Sequence, residues 1–310
     1  MIEKVETGMV ERVRKIVDNW DQIVDRFFEG MEASESSRIQ YRRELNQFFR
    51  WLEDHPTTNG LTRLDILSYR NSMVESGKSP LTVGGYMTAV RKFFAFLEGE
   101  KLYPNIAKDI KGAKKPKGHR KDYMRKDQIS GILKQIDTSS PVGKRDFALI
   151  NLVARTGLRT IEVSRARVED IRNRGEKTVL WIQGKGRDQK DDFVVLTPEA
   201  LKPLEEYIQS RKAKPSDPLF TSVSNRNQTQ PMTTRSISRI VKEAFKDAGI
   251  DSPLLTAHSL RHTAVSLAIQ GGASLIQAQS MARHSDPKTT MIYFHDIDRV
   301  KNAAESYINF

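Results

Sequence analysis

One stretch of this chain has almost nothing to bury, and it splits the rest in two. Lys108-Asp-Ile-Lys-Gly-Ala-Lys-Lys-Pro-Lys-Gly-His-Arg-Lys121 is rich in Lys, Gly and Pro and holds hardly an apolar side chain. It therefore reads as a tether between separately folded units. A chain of 310 residues is long enough for two domains with cores of their own. The composition shifts divide it into an N-terminal helical segment (1–30), a helical domain (31–107), a basic linker (108–122) and a larger domain (123–310).

Helical spacing dominates the first half. Val10, Val13, Val17, Ile23, Val24 and Phe27 recur at intervals near three and four, which predicts an amphipathic helix whose role stays open. Tyr41, Leu45, Phe48, Phe49 and Leu52 form a second stripe, and Thr62-Arg-Leu-Asp65 has the pattern of a capping box. Ser79-Pro80 opens a further helix, with serine as N-cap and proline at the first position, followed by Val83, Met87, Val90, Phe94 and Leu97. Its other side carries Gly84, Gly85, Thr88 and Lys92. Two glycines in a helix cost about 1 kcal/mol each relative to alanine, so some close approach should justify them. Packing inside the bundle and a nucleic-acid strand gripped by Lys78, Arg91 and Lys92 account for the pair equally well.

The second half mixes helices with one small sheet. Thr178-Val-Leu-Trp-Ile182 and Asp192-Phe-Val-Val-Leu196 are β-branched, apolar runs flanking Gly184-Lys-Gly-Arg-Asp-Gln-Lys190, which predicts a hairpin with a basic tip. From Thr234 to Phe245 one helix places Ile237, Ile240, Val241 and Ala244 on one face and Arg235, Arg239 and Lys242 on the other. We read that basic stripe as lacking acidic partners, hence as facing DNA. The expected fold is mainly α with a small β-hairpin.

Lys and Arg number 51 against 39 Asp and Glu, a net charge of +12 with a pI near 9.7. Such a chain attracts polyanions at long range, although basic balance alone does not single out DNA. The absence of cysteine excludes disulfides, thiolate catalysis and Cys-based zinc sites. No run approaches the roughly 18 apolar residues of a membrane span, and Met1-Ile-Glu-Lys-Val-Glu-Thr7 lacks a signal-peptide core. A soluble, cytoplasmic, nucleoid-associated protein is expected.

The chemistry gathers late in the chain. His258-Ser-Leu-Arg261, His284 and Tyr293, within Thr289-Thr-Met-Ile-Tyr-Phe-His295, set cationic groups beside one phenol. Arg159, in Ala154-Arg-Thr-Gly-Leu-Arg159, follows an apolar helix and a glycine break. A phenoxide attacking phosphorus must lose its proton and needs fixed donors on the phosphoryl oxygens, and a planar guanidinium suits that work. His258 and Arg261, three apart, share a helical face, whereas His262 reads as pointing elsewhere and structural. Glu162, one turn after Arg159, fits a residue that orients a cation. By itself His284 would be a packed histidine, and Tyr293, beside Met291, Ile292 and Phe294, a core residue. Lys185 would by spacing be a phosphate-gripping lysine sooner than a general acid, with Lys190 as its substitute. The cationic neighbours disfavour a divalent metal, and no Gly-x-x-x-x-Gly-Lys loop for ATP occurs.

In this order the boxes resemble the catalytic domain of the tyrosine recombinases, or phage-type integrases. The resemblance covers the chain beyond about residue 30, and implies a catalytic set of Arg159, Lys185, His258, Arg261, His284 and Tyr293. One departure is Ala282-Arg283-His284, where a glycine commonly precedes the histidine; we expect it to alter backbone freedom more than chemistry. It further implies a helical, SAM-like core-binding domain and an α+β catalytic domain that close as a clamp on double-stranded DNA. Lys78, Arg91, Lys92, Lys114, Lys115, Lys117, Arg235, Arg239 and Lys242 are the implied DNA contacts. Tyr293 would form a 3′-phosphotyrosyl link, His258 would accept its proton, Lys185 would protonate the leaving oxygen, and Arg159, Arg261 and His284 would hold the phosphoryl charge. No metal or cofactor is implied, and four protomers would join two duplexes. In the tail, Val300, Ala303, Ala304, Tyr307 and Ile308 form a stripe that a neighbour or the same domain would cover. The rival readings are a tyrosine-dependent topoisomerase and a DNA-binding module without catalysis.

Overall fold

A computed structural model of the chain describes residues 20–56, 60–114, 123–223 and 229–293, with 306 and 308. The chain divides into two compact units, between residues 118 and 119.

The first unit contains α1 (Trp20–Glu29), α2 (Glu35–Asp54), α3 (Arg63–Glu75) and α4 (Pro80–Gly99). Each of the last three starts where a side chain satisfies an orphan amide. Ser34 Oγ accepts from the Ser37 amide, Asp65 accepts the Thr62 amide at 2.6 Å, and Ser79 Oγ accepts from the Thr82 amide at 3.2 Å. The apolar stripes meet in a core rich in edge-to-face rings, among them Phe27 on Phe93 and Phe48 on Tyr69. Ile23, Val24, Phe27 and Phe28 of α1 are buried in it, so this helix belongs to the bundle. Val10, Val13 and Val17 lie outside the described residues.

The chain after α4 departs from the expected tether. Ile110 is 2% exposed in the same core, and Arg63 Nη1 donates to the Lys108 carbonyl at 2.5 Å. The packed unit therefore continues past 107, because one isoleucine in a basic run is anchor enough to hold it. Contacts within this unit crowd Gly85 and set Gly84 against a glycine of the same segment, although a side chain on Gly84 itself would have room. A Cβ on Gly112 would lie 3.0 Å from the Gly84 Cα, and one on Gly85 would lie 2.9 Å from Oε1 of buried Glu44. The close approach is made by this chain itself.

The second unit contains α5 (Lys126–Gln135), α6 (Pro141–Thr156), α7 (Thr160–Arg165), β1 (Ile171–Arg174), β2 (Lys177–Ile182), β3 (Asp192–Val195), α8 (Pro198–Ser210), α9 (Thr234–Asp247), α10 (Ala257–Gln270) and α11 (Leu275–Ala282). Helix α6 is central: Leu149, Ile150, Leu152 and Val153 are buried, and it packs against α8 and α10. The hairpin forms as expected, with Val179 opposite Val195 and Ile182 opposite Asp192. Strand β1 extends it to three antiparallel strands in the order β1-β2-β3. Its sequence, Ile171-Arg-Asn-Arg174, is exposed beyond Ile171 and gives no apolar alternation to read. Among the described residues no helix is long and apolar enough to cross a membrane.

The glycine packing makes a paired prediction. Gly112→Ala should lower the stability of the first unit by about 1–3 kcal/mol, the scale of overpacking against backbone. Gly84→Ala, whose Cβ would meet nothing within 4 Å, should raise it by up to about 1 kcal/mol through helix propensity. Thermal melting of both variants checks it; equal effects of the same sign would refute the contact.

Candidate active site

Helix α6 ends at Gly157, whose left-handed φ of 63° turns the chain back into Leu158-Arg159 and the start of α7. Arg159 is thereby placed at the N-cap of α7, one turn before Glu162. Its amide donates to Glu162 Oε2 at 2.7 Å and its Nη1 to Oε1 at 2.9 Å. Glu162 is 0% exposed. Burial alone would raise its carboxyl; the charge of Arg283 and the bonds from Arg159 outweigh that and hold it below the usual range.

Arg261 reaches the same place from α10. It is 3% exposed, and its guanidinium donates to the Gly157 carbonyl at 2.5 Å and to the Ala282 carbonyl. Burial, then the like charges of Arg159 and Arg283, pull it down to about 9. Arg159, Arg261, His258 and Lys185 all border one cavity of about 370 Å³, with Thr234 and Thr256 beside them. Four of the six expected catalytic residues thus face a common space, and Lys185 enters it from the exposed hairpin tip.

The other two sit next to that space and do not line it. Tyr293 is 6% exposed, in a small apolar cluster with Val265, Ile269, Ala278 and Ala282. Its hydroxyl is hydrogen-bonded to His262 Nδ1. His262 therefore does not point elsewhere: four residues after His258, it follows it on the same face, and their rings meet edge-on at 4.4 Å. The i,i+4 spacing was the signal that could have found it. Burial pushes the Tyr293 phenol up to about 12, against the lowering effect of Arg261. His284 stacks on Tyr293 with centroids 6.4 Å apart, and its Nδ1 pairs with Thr290 Oγ1 at 2.8 Å. Burial first, then Arg261, Arg159, Arg283 and His258, depress His284 to about 4.

Three further readings change. Lys190 Nζ bonds both oxygens of buried Asp170, at 2.7 and 2.6 Å, which commits the substitute lysine to a structural pair. The basic face of α9 does have acidic neighbours: Arg239 lies 3.9 Å from Glu243, its i+4 neighbour, and Lys242 lies 3.3 Å from Asp251, brought in by the turn after the helix. Arg235 is exposed. The residue before His284 alters more than backbone freedom, because the Arg283 guanidinium binds Glu162 Oε2 at 2.8 Å.

In the first unit, Arg91 bonds the Met87 carbonyl and Thr88 Oγ1 of its own helix, Lys92 lies 5.6 Å over the Tyr41 ring, and Lys78 is half-buried. Sequence reasoning missed a groove of about 780 Å³ lined by Arg38, Arg42, Arg43 and Arg50, four cations along α2. Their spacing of four, one and seven was visible. Lys114 is exposed, while Lys115, Lys117 and the tail stripe, save Ile308, lie outside the described residues.

Histidine NMR tests the electrostatics. His284 should titrate near 4 in place of about 6.5, and a depressed pKa means neutral His284 favours the fold. That contribution is complete above about 6.5 and is lost as pH falls towards 4. A midpoint near 6.5 would mean that the ring is neither buried nor crowded by the guanidiniums.

Residues 122–299 match the profile of the phage integrase family, and residues 24–101 that of the phage integrase N-terminal SAM-like domain. The chain is 30% identical over 287 residues to the tyrosine recombinase XerD of Pseudomonas putida, covering 89% of this chain and 91% of the relative. With XerD of Listeria monocytogenes it shares 29% over 261 residues, covering 82% and 86%. Among solved structures it is similar in fold to the XerH site-specific recombinase bound to palindromic difH substrate in a post-cleavage complex (TM-score 0.72, 23% identity, 87% of this chain and 79% of that one). It is also similar to a lambda integrase dimer bound to a COC′ core site (TM-score 0.68, 16% identity, 92% and 81%).

Proposed function

The chain belongs to the phage integrase family of tyrosine recombinases, and on that premise we propose how its residues break and rejoin DNA at a specific site. The observation that carries the reading is the shared cavity, where two guanidiniums, an imidazole and an ammonium converge on a space able to hold a phosphodiester.

Arg159 and Arg261 take the non-bridging oxygens, preorganised by Glu162 and the Gly157 carbonyl so that little reorganisation is needed as charge builds. Tyr293 leaves its apolar seat by a short movement and attacks phosphorus. The bond from its oxygen to phosphorus forms as the bond to the 5′ oxygen breaks, leaving a 3′-phosphotyrosyl link. His258, on the cavity wall beside His262, accepts the phenol proton. Lys185 supplies a proton to the departing 5′ oxygen, and neutral His284 donates to the phosphate. The link conserves the energy of the broken bond, so rejoining needs no nucleotide.

Each unit adds its own contacts to the duplex: Lys78, Arg91 and Lys92 from the first, Lys114 with Lys115 and Lys117 after it, and Arg235, Arg239 and Lys242 from the second. Exchange between two duplexes involves four strands, and four protomers supply one nucleophile to each. The likeness to XerD across most of both chains favours recombination over topoisomerase-type relaxation.

Tyr293→Phe should retain specific DNA binding and lose all covalent adduct on a nicked suicide substrate, since the change removes one oxygen. An adduct from the Phe variant would move the nucleophile elsewhere.

Lys185→Ala should be impaired on ordinary DNA and rescued where the scissile 5′ oxygen is replaced by sulfur, because a thiolate leaves without a proton. Equal impairment on both substrates would make Lys185 a phosphate-gripping residue only.

A further inference from the structure

Arg283 holds a backbone conformation that favours glycine, at φ 53° and ψ 48°, as the C-cap of α11. The resemblance to the integrases leads one to expect glycine there. A side chain is kept despite that strain, and it is not a solvated one. The side chain is 7% exposed, and its guanidinium donates to Glu162 Oε2 at 2.8 Å and to the Met281 carbonyl at 2.5 Å. Its Nε is buried without a hydrogen-bond partner. The residue is tied in by its backbone too, since the Arg283 carbonyl accepts from Arg159 Nη2 at 3.3 Å.

Resting on the recombinase reading of this site, we propose that Arg283 is a positioning residue that neutralises Glu162, so that the charge of Arg159 stays available to the scissile phosphate. Glu162 has to be anionic to fix Arg159, and a buried carboxylate bonded to that guanidinium cancels its charge. Leaving aside the Lys185 ammonium, which gives up its proton to the leaving oxygen in the proposed reaction, Arg159 and Arg261 against Glu162 would hold a single excess positive charge. Arg283 raises the excess to two, which matches the charge that a phosphodiester acquires on passing to its pentacoordinate state. The fully buried oxygen Oε2 takes both the Arg159 amide and the Arg283 guanidinium, so one carboxylate serves as anchor for the first cation and is compensated by the second.

Cleavage of a suicide substrate by three variants tests this. Arg283→Gly relieves the backbone strain but takes one cation from buried Glu162, so it should melt below the wild type. Assayed where it is fully folded, it should cleave at least about tenfold more slowly with DNA affinity little changed, the scale for losing a group that orients a ligand. Arg283→Lys, which keeps the charge, should recover most of the rate. The double variant Arg283→Gly with Glu162→Gln restores the excess of two charges and should cleave at least several times faster than Arg283→Gly alone. Wild-type cleavage by Arg283→Gly, or a double variant as slow as the single, would overturn the proposal. A wild-type protein that forms no adduct would instead count against the recombinase reading itself.

Discussion

One buried carboxylate organises the catalytic unit. Glu162 receives the Arg159 amide and guanidinium and the Arg283 guanidinium. Arg261 closes the arrangement by bonding the carbonyls of Gly157 and Ala282. The end of α6, the start of α7, the middle of α10 and the end of α11 are thus fastened together through charged groups. A buried ion pair is a weak net stabiliser, because desolvation offsets much of the Coulomb gain, but removing one member leaves a bare charge at about 3–5 kcal/mol. The network therefore specifies a geometry more than it adds stability. Three guanidiniums could not be packed this closely unless something anionic sat among them, and Glu162 makes the cluster compatible with folding before any phosphate arrives.

Much of this was legible in the residues. Ser79-Pro80, Thr62-Asp65 and the β-branched runs around Lys185 are local signals, settled by capping and strand geometry within a few positions, and the fold follows them. Arg159, Lys185, His258 and Arg261 were legible because motif and spacing name them, and the cavity unites them. What escaped depends on contacts distant in sequence or on single residues inside a biased run. Ile110 vanished into a lysine-rich stretch until packing singled it out. The tie between Lys190 and Asp170 is decided by how β3 follows the sheet, twenty residues from its partner. Asp251 reaches Lys242 only because a turn folds back. His262 was misplaced for a different reason: the helix period was applied at three residues and not at four. Arg283 was underrated because a missing glycine reads first as a backbone matter, whereas the guanidinium added there enters the charge network.

The position of Tyr293 fits a nucleophile kept unreactive until it is wanted. Sealed among Val265, Ile269 and Ala282 and bonded to His262, the phenol is harder to ionise than an ordinary tyrosine, since burial outweighs the pull of Arg261. In the proposed reaction, moving it to the cavity changes both conditions at once. The hydroxyl leaves an apolar surround, and it arrives where Arg159 and Arg261 lower the cost of negative charge on it and on the phosphate it attacks. Burial, joined by the same cations, keeps the His284 ring neutral, able to donate one hydrogen bond while Thr290 fixes the other nitrogen.

Binding and chemistry are consequently assigned to cations of two different kinds. Arg239 with Glu243, and Arg42 with Asp25, are exposed pairs on the outer faces of their units, worth about 0–1 kcal/mol each, so exchanging the carboxylate for a phosphate is easy and sensitive to salt. Arg159, Arg261 and Arg283 are held by buried partners and cannot be redirected without breaking the network. On the proposed function, loose pairs outside would let the duplex be sampled along its length, while the rigid set would act only on a phosphate that enters the cavity in register. Under that reading affinity would depend on how many exposed pairs exchange, whereas the cleavage rate would depend on one carboxylate and the three guanidiniums around it.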